Sequence, residues 1–380
     1  MEFKLTPDHE AIIADVRAFA KKEIAPLAAE IDAESKFPAE IIKKMAELGY
    51  MGINIPEEYG GAGLDDVYKV LVVREIAKCC ASTAEILAVQ SLVNDILVTK
   101  GTKEQKEKYL PMVAEGRIGA FALTEAGAGS DASAARTKAV SDGDNYIING
   151  SKCFISNMGP EEGDYVILIA LTDPSAGVKG MSAIIVDRGT PGFSIGKVED
   201  KMGIRGAAVS ELVFEDCVVP KTNLIGKEGE GFKIAMSALD GGRIGIAAQA
   251  LGIAEAAIDA SVEYSKQRSQ FGKPISALQG IQWYLADMAT RTEAAKLLIL
   301  QAADMRSRGE NVTKEAAMAK YFASENAVYV TDRAVQIHGG YGYMKDYPIE
   351  RMYRDARITP LYEGTSEVQK MVISRAVIGK

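Results

Sequence analysis

Glu363 stands between Tyr362 and Gly364 in the stretch LYEGTSEVQ, residues 361–369. Ser366 and Gln369 have the S-x-x-Q spacing of a capping box for a last helix carrying Val368, Met371, Val372, Ile373 and Val377 on its apolar positions. Gly364 supplies the turn ahead of it. That helix starts without help from Glu363, so the carboxylate is either a solvated loop charge or a group with a chemical task. The chain offers few other acid–base groups of neutral pKa, because its histidines are His9 and His338 alone. A zinc site built on several histidines is excluded, and no G-x-S-x-G elbow accompanies either histidine. The four cysteines, Cys79, Cys80, Cys153 and Cys217, form no C-x-x-C pair and read as free thiols. Carboxylates or a cofactor must therefore carry any chemistry.

Five other stretches combine reactive or ligand-binding residue types. LTEAGAGSD (123–131) follows a probable strand, and its small residues let a ligand approach the backbone. It is not a G-x-G-x-x-G turn opening a helix, so a nicotinamide dinucleotide fold is not indicated. RSQFGKP (268–274) places Arg268 between two long helical patterns, as a helix-end charge or as a phosphate clamp. QIHGGYGY (336–343) has more glycine and tyrosine than a helix stop needs, which suits a flat ligand; His338 reads as structural. In SKCFISN, Phe154 and Ser156 fall on one face of a probable strand, either as core or as cover for a flat ring. Asp240 and Arg243, in LDGGRIG, sit at i,i+3 on a helix and either pair or meet a ligand.

The elements that must position these residues divide the 380-residue chain into three parts. Residues 1–118 read as helices, including a stripe at Ile12, Ile13, Val16, Phe19 and Ile24 behind Thr6-Pro7, and a nearly all-apolar helix at about 83–100. Thr102 and Gln105 form a further capping box. Residues 119–225 switch to short β-branched runs, DYVILIALTD, GMSAIIVD and ELVFEDCVV, with hairpin-type turns at DG (142–143) and NG (149–150). A β-barrel or sandwich is expected there. Residues 226–380 return to long helices, about 231–266, 278–308 and 313–338, in the manner of a bundle, closed by shorter ones at about 348–358 and 366–378. The fold class is α+β multidomain. A formal net charge of −8 argues against nucleic acid and an anionic membrane surface as partners. MEFKLTPDHE shows no secretory pattern, and no uninterrupted apolar run of membrane-spanning length is present, so a cytoplasmic protein is expected.

Together these blocks resemble the acyl-CoA dehydrogenase family of flavoenzymes. The resemblance runs the length of the chain: LTEAGAGSD, NGSKCFISN, KMGIRG, ELVFEDCVVP, LDGGRIGIAAQALGIA, YSKQRSQFGKPI, QIHGGYGY and RDARITPLYEGTSEVQ occur in family order. It is nearest to the short-chain, butyryl-type members. It implies an N-terminal α domain, a middle β domain, a C-terminal four-helix bundle and a homotetramer. FAD is the implied cofactor, contacted by Phe121, Leu123, Thr124, Phe154 and Ser156, with Ser130 at its pyrophosphate or at the substrate chain. Arg268, Gln270, Phe271, Gln336 and Gly340 would reach the FAD of a neighbouring subunit, and Thr365 and Glu367 would lie near the cofactor. Asp240 and Arg243 would lie near the CoA moiety. Ala88, Ser91, Leu92 and Asp95 would line the acyl pocket, Leu239 and Leu361 would bound it, and Tyr362 and Gly364 would flank the substrate. Asp95 alone among these is also readable as a solvated turn charge.

Glu363 occupies the position of the family's catalytic base, which removes the proton α to the thioester carbonyl while the β hydrogen leaves as hydride. Its backbone N–H and a flavin hydroxyl are the implied donors to the thioester oxygen. Some members carry the base before the arginine of LDGGR; here that residue is Gly242. Ala126, Met158 and Leu278 depart from the usual proline, glycine and phenylalanine, and none removes a functional group. The resemblance implies electron transfer to an electron-transfer flavoprotein. A butyryl-like acyl group is the first expectation, with branched, aromatic or alicyclic acyl-CoA as the alternative. A catalytically silent scaffold and an oxygen-using flavin oxidase are rival readings of the same fold.

Overall fold

A computed structural model of the chain describes residues 5–379, so residues 1–4 of the opening stretch lie outside it. The N-terminal helices are α1 (Pro7–Phe19), α2 (Ala28–Glu34), α3 (Ala39–Glu47), α4 (Asp66–Ala77), α5 (Ala81–Lys100) and α6 (Lys103–Ala114). Thr6 caps α1 in a box completed by His9, and Thr102 with Gln105 caps α6 as expected. The strands follow: β1 (Gly119–Ala122), β2 (Lys138–Asp142), β3 (Asn145–Ser156), β4 (Tyr165–Leu171), β5 (Met181–Asp187), β6 (Phe193–Val198), β7 (Val209–Pro220) and β8 (Leu224–Ile225). Then come α7 (Gly231–Gln267), a small hairpin of β9 (Ser269–Gln270) and β10 (Lys273–Pro274), α8 (Gln279–Ser307), α9 (Thr313–His338), α10 (Ile349–Ala356) and α11 (Ser366–Ile378).

The strands pair in the order β6-β7-β3-β2-β4-β5-β8, with β1 added parallel to β4. One parallel pair, Lys138 with Leu171, links β2 to β4. The sheet folds over at this seam, because Tyr146 and Ile148 of β3, Val166 and Leu168 of β4 and Phe214 of β7 share one core. β4 and β5 are buried on both faces. Their odd residues, Ile167, Ile169, Ala183 and Ile185, join the large helical core instead. That double burial is why both strands read as unbroken apolar runs rather than alternating ones.

The NG dipeptide at 149–150 corrects an expectation. It is no turn: β3 runs through it, and the register against β7 shifts between Ile148 and Gly150. A Cβ on Gly150 would stand 2.7 Å from the Thr137 hydroxyl, so a bulge with a bare Cα is what the neighbouring residue permits. The turn between β2 and β3 is at Gly143, with φ +55°.

Helices α5 and α7 are long and apolar enough to cross a membrane, but most of their surface is buried against neighbouring elements. Arg74 of α4 forks onto Glu255 of α7 at 2.7 and 2.9 Å. Arg354 of α10 forks onto Asp32 of α2 at 2.9 and 2.7 Å, and its Nε donates to Glu350 at 2.7 Å. The second fork ties the two ends of the chain together. Replacing Arg354 by alanine leaves Asp32 largely buried and unpaired. The expected cost is about 2–3 kcal/mol, below the ~3–5 kcal/mol of a fully desolvated pair, read as a lower urea midpoint. Removing the exposed Lys296–Glu293 pair should change it by less than about 0.5 kcal/mol. Equal midpoints for R354A and K296A would contradict this ranking.

Candidate active site

The loop between α10 and α11 presents Glu363. Glu363 and Gly364 are both left-handed, with φ +53° and +88°. Glycine adopts that conformation freely; glutamate does so at a cost of roughly 1–2 kcal/mol. Side chains from α9 and α11 hold the loop by its carbonyls. Lys320 Nζ donates to the Gly364 carbonyl at 2.7 Å. Gln369 Nε2 donates to the carbonyls of Glu363 and Gly364 at 3.1 and 2.8 Å. The expected Ser366–Gln369 capping box is therefore not formed. Thr365 is the N-cap, its hydroxyl accepting from the Val368 N–H at 3.3 Å. Ser366 instead donates to Glu325 at 2.5 Å. Two successive left-handed residues bring the helix start forward by one position and turn Gln369 inward. Sequence spacing could not reveal Lys320, which lies 43 residues upstream on another helix and is wholly buried.

The Glu363 carboxylate reaches into a narrow slot between α5 and α7. Its Oε2 is buried and has no hydrogen-bond partner. A Cβ on Gly242 would stand 2.8 Å from that oxygen and 2.8 Å from Leu92 Cδ1. Burial pushes the Glu363 pKa up to about 7, against the opposing pull of Arg243 and Lys320. Burial likewise lowers Lys320 to about 8, partly countered by Glu363. Glu363 is thus no solvated loop charge. At neutral pH it can both hold and release a proton.

Along the slot, Gly245 faces Ala88 at 3.6 Å from its notional Cβ, and Gly241 faces Asp95 and Arg306. Asp95 is not a solvated turn charge. It accepts from Arg306 at 2.9 Å and from Asn54 at 2.6 Å, and it pairs with Lys69 at 3.3 Å. Ser91 is buried, and its hydroxyl donates back to the Leu87 carbonyl at 2.9 Å within α5. Asp240 and Arg243 do pair, at 2.6 Å, and Thr313 donates to the other Asp240 oxygen at 2.7 Å. Leu239 is half-buried, whereas Leu361 is exposed. Tyr362 donates its hydroxyl to Gln249, which in turn donates to the Ala81 carbonyl at 2.8 Å.

The β domain offers a second group of candidates. Wholly buried Lys152 donates to the Leu123 carbonyl at 2.9 Å and to Glu125 at 2.8 Å. Glu125 also accepts from the backbone N–H groups of Arg136 and Thr137 at 2.7 and 3.0 Å. The Cys153 N–H reaches the Thr124 carbonyl at 3.0 Å. The 123–131 loop is therefore fixed from its first residues, while Cβ atoms at Gly127 and Gly129 would meet open space. Phe121 and Thr124 are half-buried, Leu123 is buried and Ser130 is exposed. The regular alternation expected at Phe154 and Ser156 is broken by a register shift between Lys152 and Ile155. Phe154 has φ +58° and is 64% exposed. Lys152 and Glu125 were missed from sequence because neither stands out from an ordinary strand and loop charge.

A cleft of 550 Å³ opens elsewhere, where α7 and the β9–β10 hairpin meet the end of α9; Arg268, Gln270, Tyr264, Gly339, Gly340 and Tyr341 line it. Phe271, at the hairpin tip, is 90% exposed with φ +53°. Phe271 and Gln336 do not line the cleft, and neither do the β-domain candidates or Glu363. His338 is buried, with Nδ1 2.8 Å from the Ala334 carbonyl and its ring stacked on Tyr264, a structural role. Thr365 serves as a cap and Glu367 is exposed. Among the described residues, no cluster suited to a metal ion is found.

The chain matches the acyl-CoA dehydrogenase N-terminal domain over residues 6–117, the middle domain over 120–217 and the C-terminal domain over 229–378. The chain belongs to the acyl-CoA dehydrogenase family, a family of oxidoreductases. It is 58% identical over 381 residues to the acryloyl-CoA reductase (NADH) of Anaerotignum propionicum, covering 100% of this chain and 96% of that protein. It is 52% identical to the short-chain specific acyl-CoA dehydrogenase of Clostridium acetobutylicum, covering 98% and 99% respectively. The solved butyryl-CoA dehydrogenase of Megasphaera elsdenii superimposes with a TM-score of 0.97 at 47% identity, over 100% of both chains.

Glu85, near the start of α5, is a further buried carboxyl, raised by burial to about 7. For Glu85 and Glu363 alike the folded-state pKa exceeds the ordinary value of 4.5. Their contribution to stability is thus complete below about pH 4.5 and lost as pH rises through about 7. Carbon-13 NMR of glutamate δ-carboxyls should show two titrations near neutrality, one abolished by E363Q and one by E85Q. Titration of every glutamate below pH 5 would contradict the burial argument.

Proposed function

We propose that this chain is an FAD-dependent enzyme that converts a short saturated acyl-CoA thioester into its 2-enoyl-CoA, with Glu363 as the base for the α proton. The observation that carries this reading is the Glu363 carboxylate: half-buried, with Oε2 enclosed and unpartnered, on a left-handed residue, and with its pKa raised by burial to about 7. A buried carboxylate without a hydrogen-bond partner is a stronger base than a solvated one. Gly242 and Leu92 press on one side of the Glu363 carboxylate, so a thioester α carbon seated against its other side would exclude water from the proton transfer. The Glu363 N–H is the chain's own donor to the thioester oxygen, steadying the charge that develops as the α proton leaves. Lys320 and Gln369 keep that N–H and the carboxylate in one fixed relation by holding the adjoining carbonyls.

The residues present fit FAD. The 123–131 loop is fixed at its start and open at Gly127 and Gly129, Phe154 stands uncovered beside it, and the separate cleft holds Arg268 and Gln270 against bare Gly339 and Gly340. Phe121, Leu123, Thr124, Ser130, Phe154 and Ser156 would hold the ring end, and Arg268, Gln270, Phe271, Gln336 and Gly340 the FAD of an adjoining subunit. Bound FAD supplies the hydride acceptor. This division of labour is our reason for proposing a homotetramer. Asp240 and Arg243 are proposed for the CoA moiety, an electron-transfer flavoprotein for the electron acceptor, and the cytoplasm for the location.

A second direction of the same chemistry is favoured by one observation, the 58% identity to an acryloyl-CoA reductase. A carboxyl of pKa about 7 is as able to deliver the α proton as to remove it.

Anaerobic mixing with propionyl-, butyryl-, isobutyryl-, octanoyl- and cyclohexanecarboxyl-CoA should bleach the flavin absorption with at least one short thioester. E363Q should retain FAD and lose at least ~100-fold in turnover. With wild type, kcat/KM for oxidation should rise with pH through about 7 and level off above it, as Glu363 ionises. Near-normal turnover by E363Q would overturn the assignment of the base. G242A should leave stability within about 1 kcal/mol, since alanine suits a helix interior better than glycine. It should still cut turnover at least ~10-fold by displacing the carboxylate, a scale consistent with misplacing a general base.

A further inference from the structure

Glu85 is a buried acid that the proposed reaction does not use, and unlike Glu75 it has no cation forked onto it among the described residues. It is completely inaccessible; neither carboxylate oxygen makes a hydrogen bond of ordinary geometry, and the Ser156 hydroxyl is the nearest polar group drawing it toward ionisation. Ser156, Lys201 and Glu363 are the polar groups that influence it. Its neighbours by sequence are held firmly: the Asn157 side chain donates to the Ile86 carbonyl at 3.1 Å, and the Gly206 N–H donates to Ser82 at 3.2 Å. The first turns of α5 therefore sit clamped under the β domain, with Glu85 inside the clamp.

The pairing of α5 with α7 gives this position a meaning. The two helices run antiparallel: Asp95 lies at Gly241, Leu92 at Gly242, Ala88 at Gly245, and the Ala81 carbonyl at Gln249. One end of this slot is polar, with Asp95 and Arg306 beside Gly241 and the Asp240–Arg243 pair on the same turn of α7. The Glu363 carboxylate stands next, at Gly242. Glu85 belongs to the opposite end, one turn beyond Ala88, where Tyr362 bonds Gln249. A thioester whose CoA lies toward Asp240 and whose α carbon lies at Glu363 points its acyl tail at Glu85.

We infer that Glu85 closes the acyl end of the site and restricts the enzyme to the shortest acyl groups. This rests on the acyl-CoA reading above. Glu85 is already fully enclosed, so an acyl tail that reached it would have to displace the side chain rather than pack beside it. The side chain also occupies the volume a longer tail would need, and a clamped helix cannot yield that volume. Short acyl groups stop before the carboxyl and avoid that displacement.

The test compares propionyl-, butyryl-, hexanoyl- and octanoyl-CoA on the FAD-loaded enzyme, for wild type, E85V and E85Q. For wild type, kcat/KM should fall at least ~10-fold between butyryl and octanoyl, since each methylene a pocket cannot accept costs about 10-fold or more. E85V, smaller and apolar, should raise the octanoyl-to-butyryl ratio at least ~10-fold, chiefly through KM, with butyryl kcat held within a few-fold. E85Q keeps the volume and should keep the limit against octanoyl. It also tests the site if E85V does not fold. Equal kcat/KM across the panel in wild type, or an unchanged ratio in E85V that retains FAD, would overturn the inference. Absence of flavin bleaching by any thioester in wild type would overturn the acyl-CoA reading itself, so the two failures are told apart.

Discussion

The close approach of α7 to α4 and α5 is the constraint on which the site depends. Gly241, Gly242, Gly245 and Gly252 make it possible. A Cβ on Gly252 would stand 2.4 Å from the Arg74 carbonyl oxygen, so this contact tolerates no side chain without moving backbone. Glycine within a helix costs roughly 0.5–1 kcal/mol against alanine. The chain accepts that cost several times within one helix. In return the N-terminal helices and the bundle share one hydrophobic core, and α4 is locked to α7 by the Arg74–Glu255 fork. The slot left at Gly242 is just wide enough for a carboxylate delivered from the far end of the chain.

Electrostatics follow from this packing. Glu363 and Glu85 are raised by the same cause, removal from water, yet they sit differently. Glu363 has Arg243 and Lys320 to draw it back toward ionisation, and Lys320 is bonded to the very loop that carries it. Asp95, on the same face of α5, ended up in a network with Arg306, Lys69, Asp66 and Asn54. Three acids near one slot have thus been given three environments, and only Asp95 is compensated by directly paired cations.

Much of this was legible in the chain itself. The helices of the bundle, the strands DYVILIALTD and GMSAIIVD and the Thr102–Gln105 cap lie where periodicity and turn chemistry put them. Glu363 could be picked out because nothing local required it. The failures share one origin: local rules were overridden by groups distant in sequence. Gln369 abandons its capping box for the loop carbonyls, NG passes as a bulge because Thr137 lies against it, and Phe154 leaves its strand face at a second bulge. Lys320, Lys152 and Glu125 are ordinary helix, strand and loop charges until the fold turns them inward. Glu85 was illegible for the same reason, since an acid in a nearly all-apolar helix looks like the one residue facing water.

Lys320 and Gln369 grip the carbonyls of residues 363 and 364, not the carboxylate between them. The course of this loop is therefore independent of what side chain it displays, apart from the modest demand of a left-handed backbone at 363. In evolutionary terms the position is a socket. The acid can be withdrawn, or a side chain grown from α7 at the place Gly242 leaves bare, without refolding the loop that Lys320 and Gln369 hold. A scaffold of this kind separates the inheritance of shape from the inheritance of chemistry, and one architecture can then change its reaction by exchanging a single plug.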